Sequence, residues 1–199
     1  MTDPMVLLYA EASPFARKVR IVAAEVGISL SLTAVHASPL AGRTDVTQVN
    51  PLGKIPALVV PEIGVLYDSS VICRYLGQET DLYPAGSEGW RALRREALAD
   101  GLMEAALLAR YETTLRPEAL RWQDWIDGQV SKIRNALVAM EAEISPSGTF
   151  DIGNIATACA LGYLDFRFAA LDWRKSHPGL ADFAATLHQR PSVRESAPS

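Results

Sequence analysis

Val6-Leu7-Leu8-Tyr9-Ala10-Glu11-Ala12-Ser13-Pro14-Phe15-Ala16-Arg17-Lys18-Val19-Arg20 is the stretch that decides the fold of this chain. Its first four residues form an apolar run of strand length. Ser13-Pro14 then stands where a helix begins, because serine is favoured at the N-cap and proline at the first helical position. Phe15, Val19, Val22 and Val26 recur at spacings of four, three and four, one stripe of an amphipathic helix, and Gly27 supplies its stop. A helix start also offers unpaired N–H groups and the positive end of a macrodipole, which suit an anion, a thiolate included. Taken alone, Ser13-Pro14 is simply what helix initiation prefers, so the rest of the chain decides what else Ser13 does.

Working outward, Leu30, Leu32 and Ala34 to Ala37 read as a second strand, and Ser38 to Asn50 as a loop holding at most a short helix. Ala57–Val60 and Val65–Tyr67 are β-branched or aromatic runs joined by Pro61-Glu62-Ile63-Gly64, a hairpin. Asp68-Ser69-Ser70 caps a helix whose apolar positions are Val71, Ile72, Tyr75 and Leu76. The order β-α-β, loop, β-β-α predicts a small α/β unit with a mixed sheet over residues 1–78. Pro84, Gly86, Ser87 and Gly89 interrupt periodicity, so residues 79–89 read as a linker.

Residues 90–199 carry no strand signal and predict an all-helical domain. Ala, Leu, Arg and Glu, strong helix formers, dominate up to about residue 115. Trp122, Ile126, Val130, Ile133, Leu137, Met140 and Ile144 then form a stripe, a long helix started near Pro117 and stopped by Pro146 and Gly148. Asp151 caps the next helix, with Asn154 where a capping box has Glu or Gln. Ile155 to Leu171 is apolar on nearly every side and should run through the middle of its domain; a last helix starts at Pro178 and fades before Pro191.

Composition excludes several classes. The chain has 199 residues, 49% hydrophobic and 21% charged, with a net charge of -4 and no basic run that would track phosphates, so nucleic acid is not an expected partner. Met1-Thr2-Asp3-Pro4 lacks the basic start of a secretory leader, and Ile155 to Leu164 is too short for a membrane span of about 20 residues. A soluble, cytoplasmic protein without a membrane partner is expected. Cys73 and Cys159 have apolar flanks and no CxxC partner, and His36, His177 and His188 are scattered, so buried free thiols and no metal site are expected.

Two further segments bear on Ser13. In Gly53-Lys54-Ile55-Pro56-Ala57-Leu58 a proline stands at the entrance to a strand, where it cannot donate to the ladder. If the Ile55-Pro56 bond is cis, the N–H and C=O of Ile55 are free for an extended peptide ligand. Asp68-Ser69 places a carboxylate and a hydroxyl at another helix start, a pair suited to the zwitterionic end of an amino acid as well as to plain capping.

Ser13-Pro14-Phe15-Ala16-Arg17-Lys18-Val19-Arg20, Asn50-Pro51-Leu52-Gly53-Lys54-Ile55-Pro56 and Asp68-Ser69, at these spacings, resemble the catalytic-serine, cis-proline and γ-glutamyl-binding segments of the glutathione S-transferase family. The likeness covers essentially the whole chain. Glu96-Ala97-Leu98-Ala99-Asp100-Gly101 and Cys159-Ala160-Leu161-Gly162-Tyr163-Leu164-Asp165-Phe166-Arg167 are similar to bacterial members of the YibF-like group. The resemblance implies a thioredoxin-like amino-terminal domain joined to a helical carboxyl-terminal domain. It implies glutathione as co-substrate and no metal, a homodimer, and detoxification by nucleophilic attack on small hydrophobic electrophiles.

The resemblance also assigns jobs. Ser13 is the catalytic residue, hydrogen-bonding the glutathione sulfur, at most at the small cost of its own cap bond; Phe15 lies beside it; Ile55 and Pro56 serve the cysteinyl unit; Asp68 and Ser69 hold the γ-glutamyl end. Lys54 either reaches the glycyl carboxylate or projects into solvent. The electrophile pocket would be lined by Ala10, Phe15, Met103, Leu107 and Tyr111, a stripe that also suits plain core; Asp100 and Arg110 flank it as solvated surface or as contacts to a ligand or second subunit. Ser13-Pro14-Phe15-Ala16 lacks the cysteine of thioredoxins and of omega-type transferases, and Glu11-Ala12-Ser13-Pro14 does not match the maleylacetoacetate isomerase motif. The alternative is a non-catalytic module of the same fold, a ligand carrier or a partner-binding protein like the stringent-starvation relatives that act on RNA polymerase.

Overall fold

The computed structural model describes residues 4–40, 45–144 and 149–198. The first half runs β1 (Val6–Tyr9), α1 (Pro14–Glu25), β2 (Ser31–Ala34), α2 (Asp45–Val49), β3 (Ala57–Val60), β4 (Gly64–Leu66) and α3 (Ser69–Leu76). The strands form one sheet in the order β2-β1-β3-β4. β1 lies parallel to β2, with α1 as the crossover that a parallel pair needs, and antiparallel to β3; β3 and β4 make the hairpin. Leu7, opposite Leu32 on one side and Leu58 on the other, sets the register.

Leu7, Val19, Val22, Leu58, Ile72, Cys73 and Leu76 fuse sheet, α1 and α3 into one core. β2 is an edge strand exposed along its whole length, shorter than the run Leu30 to Ala37 suggests. On α3 the buried face is Ser69, Ile72, Cys73 and Leu76, three and four apart, which leaves Val71 off the stripe and 48% exposed. Residues 41–44 of the expected loop, and Met1 to Asp3, lie outside the described residues.

The second half is helical: α4 (Gly86–Thr114), α5 (Gln123–Glu143), α6 (Ile152–Arg167), α7 (Trp173–Ser176), α8 (Pro178–His188) and α9 (Pro191–Glu195). α4 begins inside the stretch that reads as linker. Gly89 looks like a helix breaker, but it is there for close approach: a Cβ at this position would stand 2.1 Å from the Pro84 carbonyl oxygen. α5 starts later than Pro117 because a 3-10 turn, Glu118–Leu120, takes up the chain first. Trp122 therefore falls outside the helix, exposed and stacked on Trp125 rather than heading the buried stripe. The stop assigned to Pro146 and Gly148 lies outside the described residues.

α6 packs against both α4 and α1, and its buried residues run from Ile152 to Leu164 on every side. It ends at Arg167 rather than Leu171, where Phe168 leaves helical geometry and a 3-10 turn follows. Asp151 caps it by accepting from the Asn154 N–H at 3.1 Å, while the Asn154 side chain turns away to the Thr149 carbonyl. Cys73 and Cys159 are buried free thiols. Among the described residues no helix is long and apolar enough to cross a membrane, and no group of His, Cys, Asp and Glu is placed to hold a metal ion.

Candidate functional site

Ser13 is the N-cap of α1, in extended conformation. Its Oγ accepts from the Ala16 N–H at 3.2 Å, and its carbonyl accepts from the Arg17 N–H. A hydroxyl has two acceptor lone pairs and one proton to donate, so the cap leaves that proton free for a ligand. Capping and ligand donation therefore do not compete, and the expected loss of the cap bond is unnecessary. The Ala16 N–H polarises the hydroxyl in the direction that strengthens its donation.

Ser13, Pro14 and Arg17 of α1 face Cys159 and Tyr163 of α6 across a small cleft that Pro198 also lines. Arg17, almost fully buried, donates to the Val193 carbonyl at 2.8 Å, the Ser196 hydroxyl at 3.3 Å and the Ala158 carbonyl at 3.4 Å. One side chain thus ties the helix that starts at Ser13 to α6 and α9.

The Ile55-Pro56 bond is cis, in a bend before β3. Asn50 braces this bend: its amide donates to the Lys54 carbonyl at 2.8 Å and its Oδ1 accepts from the Leu52 N–H at 3.0 Å. Asn50 carries no charge and no pattern in the sequence beyond an Asx-turn preference, which is why its role is invisible there. Lys54 is exposed, Ile55 half-buried and Pro56 buried. At the start of α3, Asp68 Oδ1 accepts from the Ser70 and Val71 N–H groups at 3.1 and 3.4 Å, and Ser69 is buried beside it. The peptide bond between Tyr67 and Asp68 is also cis.

A charge cluster holds these two helix starts in place. Lys18, fully buried, donates from Nζ to Glu96 Oε1 at 2.9 Å, to Asp100 Oδ2 at 2.6 Å and to Ser70 Oγ at 3.2 Å; the Ser70 hydroxyl donates in turn to Asp100 Oδ2 at 3.0 Å. α1, α3 and α4 meet there. Asp100 is therefore not free surface but a member of this cluster, its side chain 17% exposed. Burial opposes the Lys18 charge, yet Cys73, Asp100 and Glu96 together outweigh it and raise the ammonium pKa above its ordinary value. Burial likewise pushes the Glu96 carboxyl up, against the pull of Lys18. Burial pushes the Cys73 thiol up, against the pull of Lys18.

Of the expected electrophile pocket, Ala10, Phe15, Leu107 and Tyr111 are half-buried, but Met103 is fully buried in the core and presents no surface. Tyr163, to which the sequence assigns no job, is on the cleft wall instead. A larger cleft, lined by Arg95, Met140, Asp151 and Phe183 among others, lies in the helical half and shares no residue with the Ser13 cleft; its Arg95 and Asp151 are already paired.

Two family models match this chain, "Glutathione S-transferase, N-terminal domain" over residues 12–79 and "Glutathione S-transferase, C-terminal domain" over residues 123–185. The curated relative, an uncharacterized GST-like protein YibF of Escherichia coli (strain K12), is 34% identical over 203 residues and 98% of each chain. A glutathione transferase family member from Pseudomonas fluorescens Pf-5, solved with bound glutathione, is 46% identical with a TM-score of 0.94, over 98% of this chain and 99% of its own. A glutathione S-transferase from Methylobacillus flagellatus KT, solved with GSH bound, is 38% identical with a TM-score of 0.88, over 98% of this chain and 100% of its own. With a thioredoxin-like half, a helical half and matches that run through both, the chain belongs to the glutathione S-transferase family.

Proposed function

We propose that this chain is a serine-type glutathione transferase: it binds glutathione along the starts of α1 and α3 and attacks a small electrophile with the glutathione thiolate. The observation that carries the reading is the Ser13 hydroxyl, which caps α1 while keeping its proton available at the mouth of the cleft. A thiol of pKa near 8.5 is mostly protonated at neutral pH, and lowering it by ~2 units takes about 2.7 kcal/mol of differential stabilisation. A hydroxyl donor and a helix N-terminus, each contributing on the order of 1 kcal/mol or more, supply most of that.

In this reading Ser13 and Phe15 flank the sulfur, the Ile55 backbone before Pro56 pairs with the cysteinyl unit, and Asp68 and Ser69 take the γ-glutamyl end. Asp68 has one carboxylate oxygen engaged in the cap and a second to offer an ammonium. The exposed Lys54 is free to reach a glycyl carboxylate. That the Pseudomonas fluorescens relative was solved with bound glutathione supports the ligand. A homodimer is part of the proposal, supported by Val71 on α3 and Trp90 and Leu93 on α4, apolar side chains left exposed. Detoxification in the cytoplasm is the setting that fits.

A non-catalytic module of the same fold is the second reading, favoured by the small size of the Ser13 cleft. Calorimetric titration with glutathione beside conjugation of a chlorodinitrobenzene separates the two. Binding with turnover is expected; binding without turnover supports a ligand-carrying module, and no binding at millimolar glutathione overturns the transferase reading and leaves a partner-binding module.

A further inference from the structure

Arg17 is a buried cation that the fold leaves without a counter-charge. It stands one turn beyond Ser13 on the same face of α1, and both line the cleft together with Cys159, Tyr163 and Pro198. Only 4% of Arg17 is exposed, and its guanidinium donates to the Val193 carbonyl, the Ser196 hydroxyl and the Ala158 carbonyl, all of them neutral oxygens. The chain makes room for it. A Cβ at Gly162, inside α6, would stand 2.2 Å from Arg17 Nη1, so α6 carries a residue that weakens a helix interior to let the guanidinium lie there.

Lys18, the next residue, shows how the same helix handles another buried cation: Glu96 and Asp100 both pair with it. No carboxylate among the described residues does this for Arg17. Glu11, at the cleft edge, is held by Arg20 at 2.9 Å, Glu195 on α9 pairs with Arg194 at 3.4 Å, and Glu25 at the end of α1 pairs with Arg190. A neutral side-chain amide donates to carbonyls without the cost of burying a charge, whereas a charge buried without its opposite is left uncompensated. That charge is felt at the cleft wall: burial pushes the Cys159 thiol up to about 11, and Arg17 pulls against it.

Resting on the glutathione reading above, we infer that the counter-charge of Arg17 is the glutathione thiolate: Ser13 donates to the sulfur directly, and Arg17, one turn further along α1, holds the sulfur ionised through its charge. The thiol proton goes to solvent and the sulfur keeps the electron pair. Arg17 need not touch the sulfur, because in a low-dielectric wall a charge acts over several ångströms with far more effect than in water. The hydroxyl and the helix start supply most of the stabilisation that the thiolate needs, and Arg17 supplies the rest.

The test is a pH titration of the full chain with bound glutathione, followed by the ultraviolet absorbance of the thiolate, in the wild type and in variants. Arg17→Gln removes the charge and should raise the titration midpoint by about one pH unit. Ser196→Asp leaves Arg17 in place and sets a carboxylate beside its Nε. It should raise the midpoint similarly while keeping the fold, and it decides alone if Arg17→Gln fails to fold. Arg17→Lys keeps a charge but loses the fork, so its thiol midpoint should stay near that of the wild type although the protein unfolds more easily. A wild-type thiol midpoint in Arg17→Gln or in Ser196→Asp overturns the inference and leaves the glutathione reading standing, with Arg17 only a tie between helices. A rise in Arg17→Lys as large as in Arg17→Gln overturns it too, because contacts rather than charge are then at work. A wild-type protein that binds no glutathione overturns that reading and the inference with it.

Discussion

The Lys18 ammonium stands 2.6 Å from an Asp100 carboxylate oxygen, with none of its side chain exposed. The pair joins the helix that starts at Ser13 to α4, and through Ser70 to the helix that starts at Asp68. Removing the cation strands two acids, Glu96 and Asp100, in the interior. Lys18→Met is therefore expected to cost about 3–5 kcal/mol, the range for breaking a buried ion pair from one side. Urea unfolding measures it. Adding Glu96→Gln and Asp100→Asn to that variant should recover a good part of the loss, because the stranded charges are then gone; no recovery would mean that the ammonium contributes chiefly by packing.

Glu25 closes the other end of α1. It accepts from Arg190 at 2.5 and 3.1 Å and from the Ser192 hydroxyl. Burial pushes its carboxyl up, but these hydrogen bonds and the Arg190 charge outweigh it, and the net pKa falls below the ordinary value. A lowered folded pKa means stability that is present above the unfolded value, about 4.3, and lost as pH falls through the folded one. Glu25→Gln is expected to cost ~1 kcal/mol near neutrality, after allowance for solvent screening, and nothing at the acid end. Unfolding midpoints of the two proteins should converge on acidification; a constant gap sinks the idea.

What the sequence reveals and what it hides divide along physical lines. Ser13-Pro14, Gly27 and Asp68-Ser69 announce helix ends because caps are local chemistry, and the Val19 and Val22 stripe announces a buried face because periodicity is local too. Gly89 misleads, since a close approach to Pro84 looks like a breaker until the chain is folded. Lys18 is the larger blind spot: a lysine in an amphipathic helix reads as solvated, and its burial depends on Glu96 and Asp100, far away in the chain. Tyr163 belongs to no motif either, because it reaches the cleft from α6, far from Ser13 in the chain and with no spacing that relates the two.

Trp90 is 74% exposed on α4, and Leu93, one turn on, is exposed as well. A lone exposed tryptophan costs solubility for nothing, whereas at a subunit interface it is an effective anchor. Trp90→Glu is expected to turn a dimer into a monomer, read by sedimentation velocity across a concentration series, with little change in the unfolding midpoint of the monomer. A wild-type protein that sediments as a monomer at every concentration removes the homodimer from the proposal.

Ser13 performs two separable tasks, and substitutions can part them. Its oxygen accepts from the Ala16 N–H, so Ser13→Ala forfeits a cap and should lose about 1 kcal/mol of stability. The same variant loses the donor to the sulfur, so the bound thiol should titrate at higher pH, followed by the ultraviolet absorbance of the thiolate, while glutathione affinity stays within several-fold. Ser13→Asp keeps an excellent cap acceptor and adds a negative charge at the helix start, favourable for the fold. It also sets a carboxylate, without a proton to donate, against the developing thiolate. Its unfolding midpoint should match or exceed that of the wild type, and its conjugation rate should fall below even that of Ser13→Ala. If instead activity follows stability across the wild type and both variants, Ser13 serves the helix alone and the thiolate is made elsewhere.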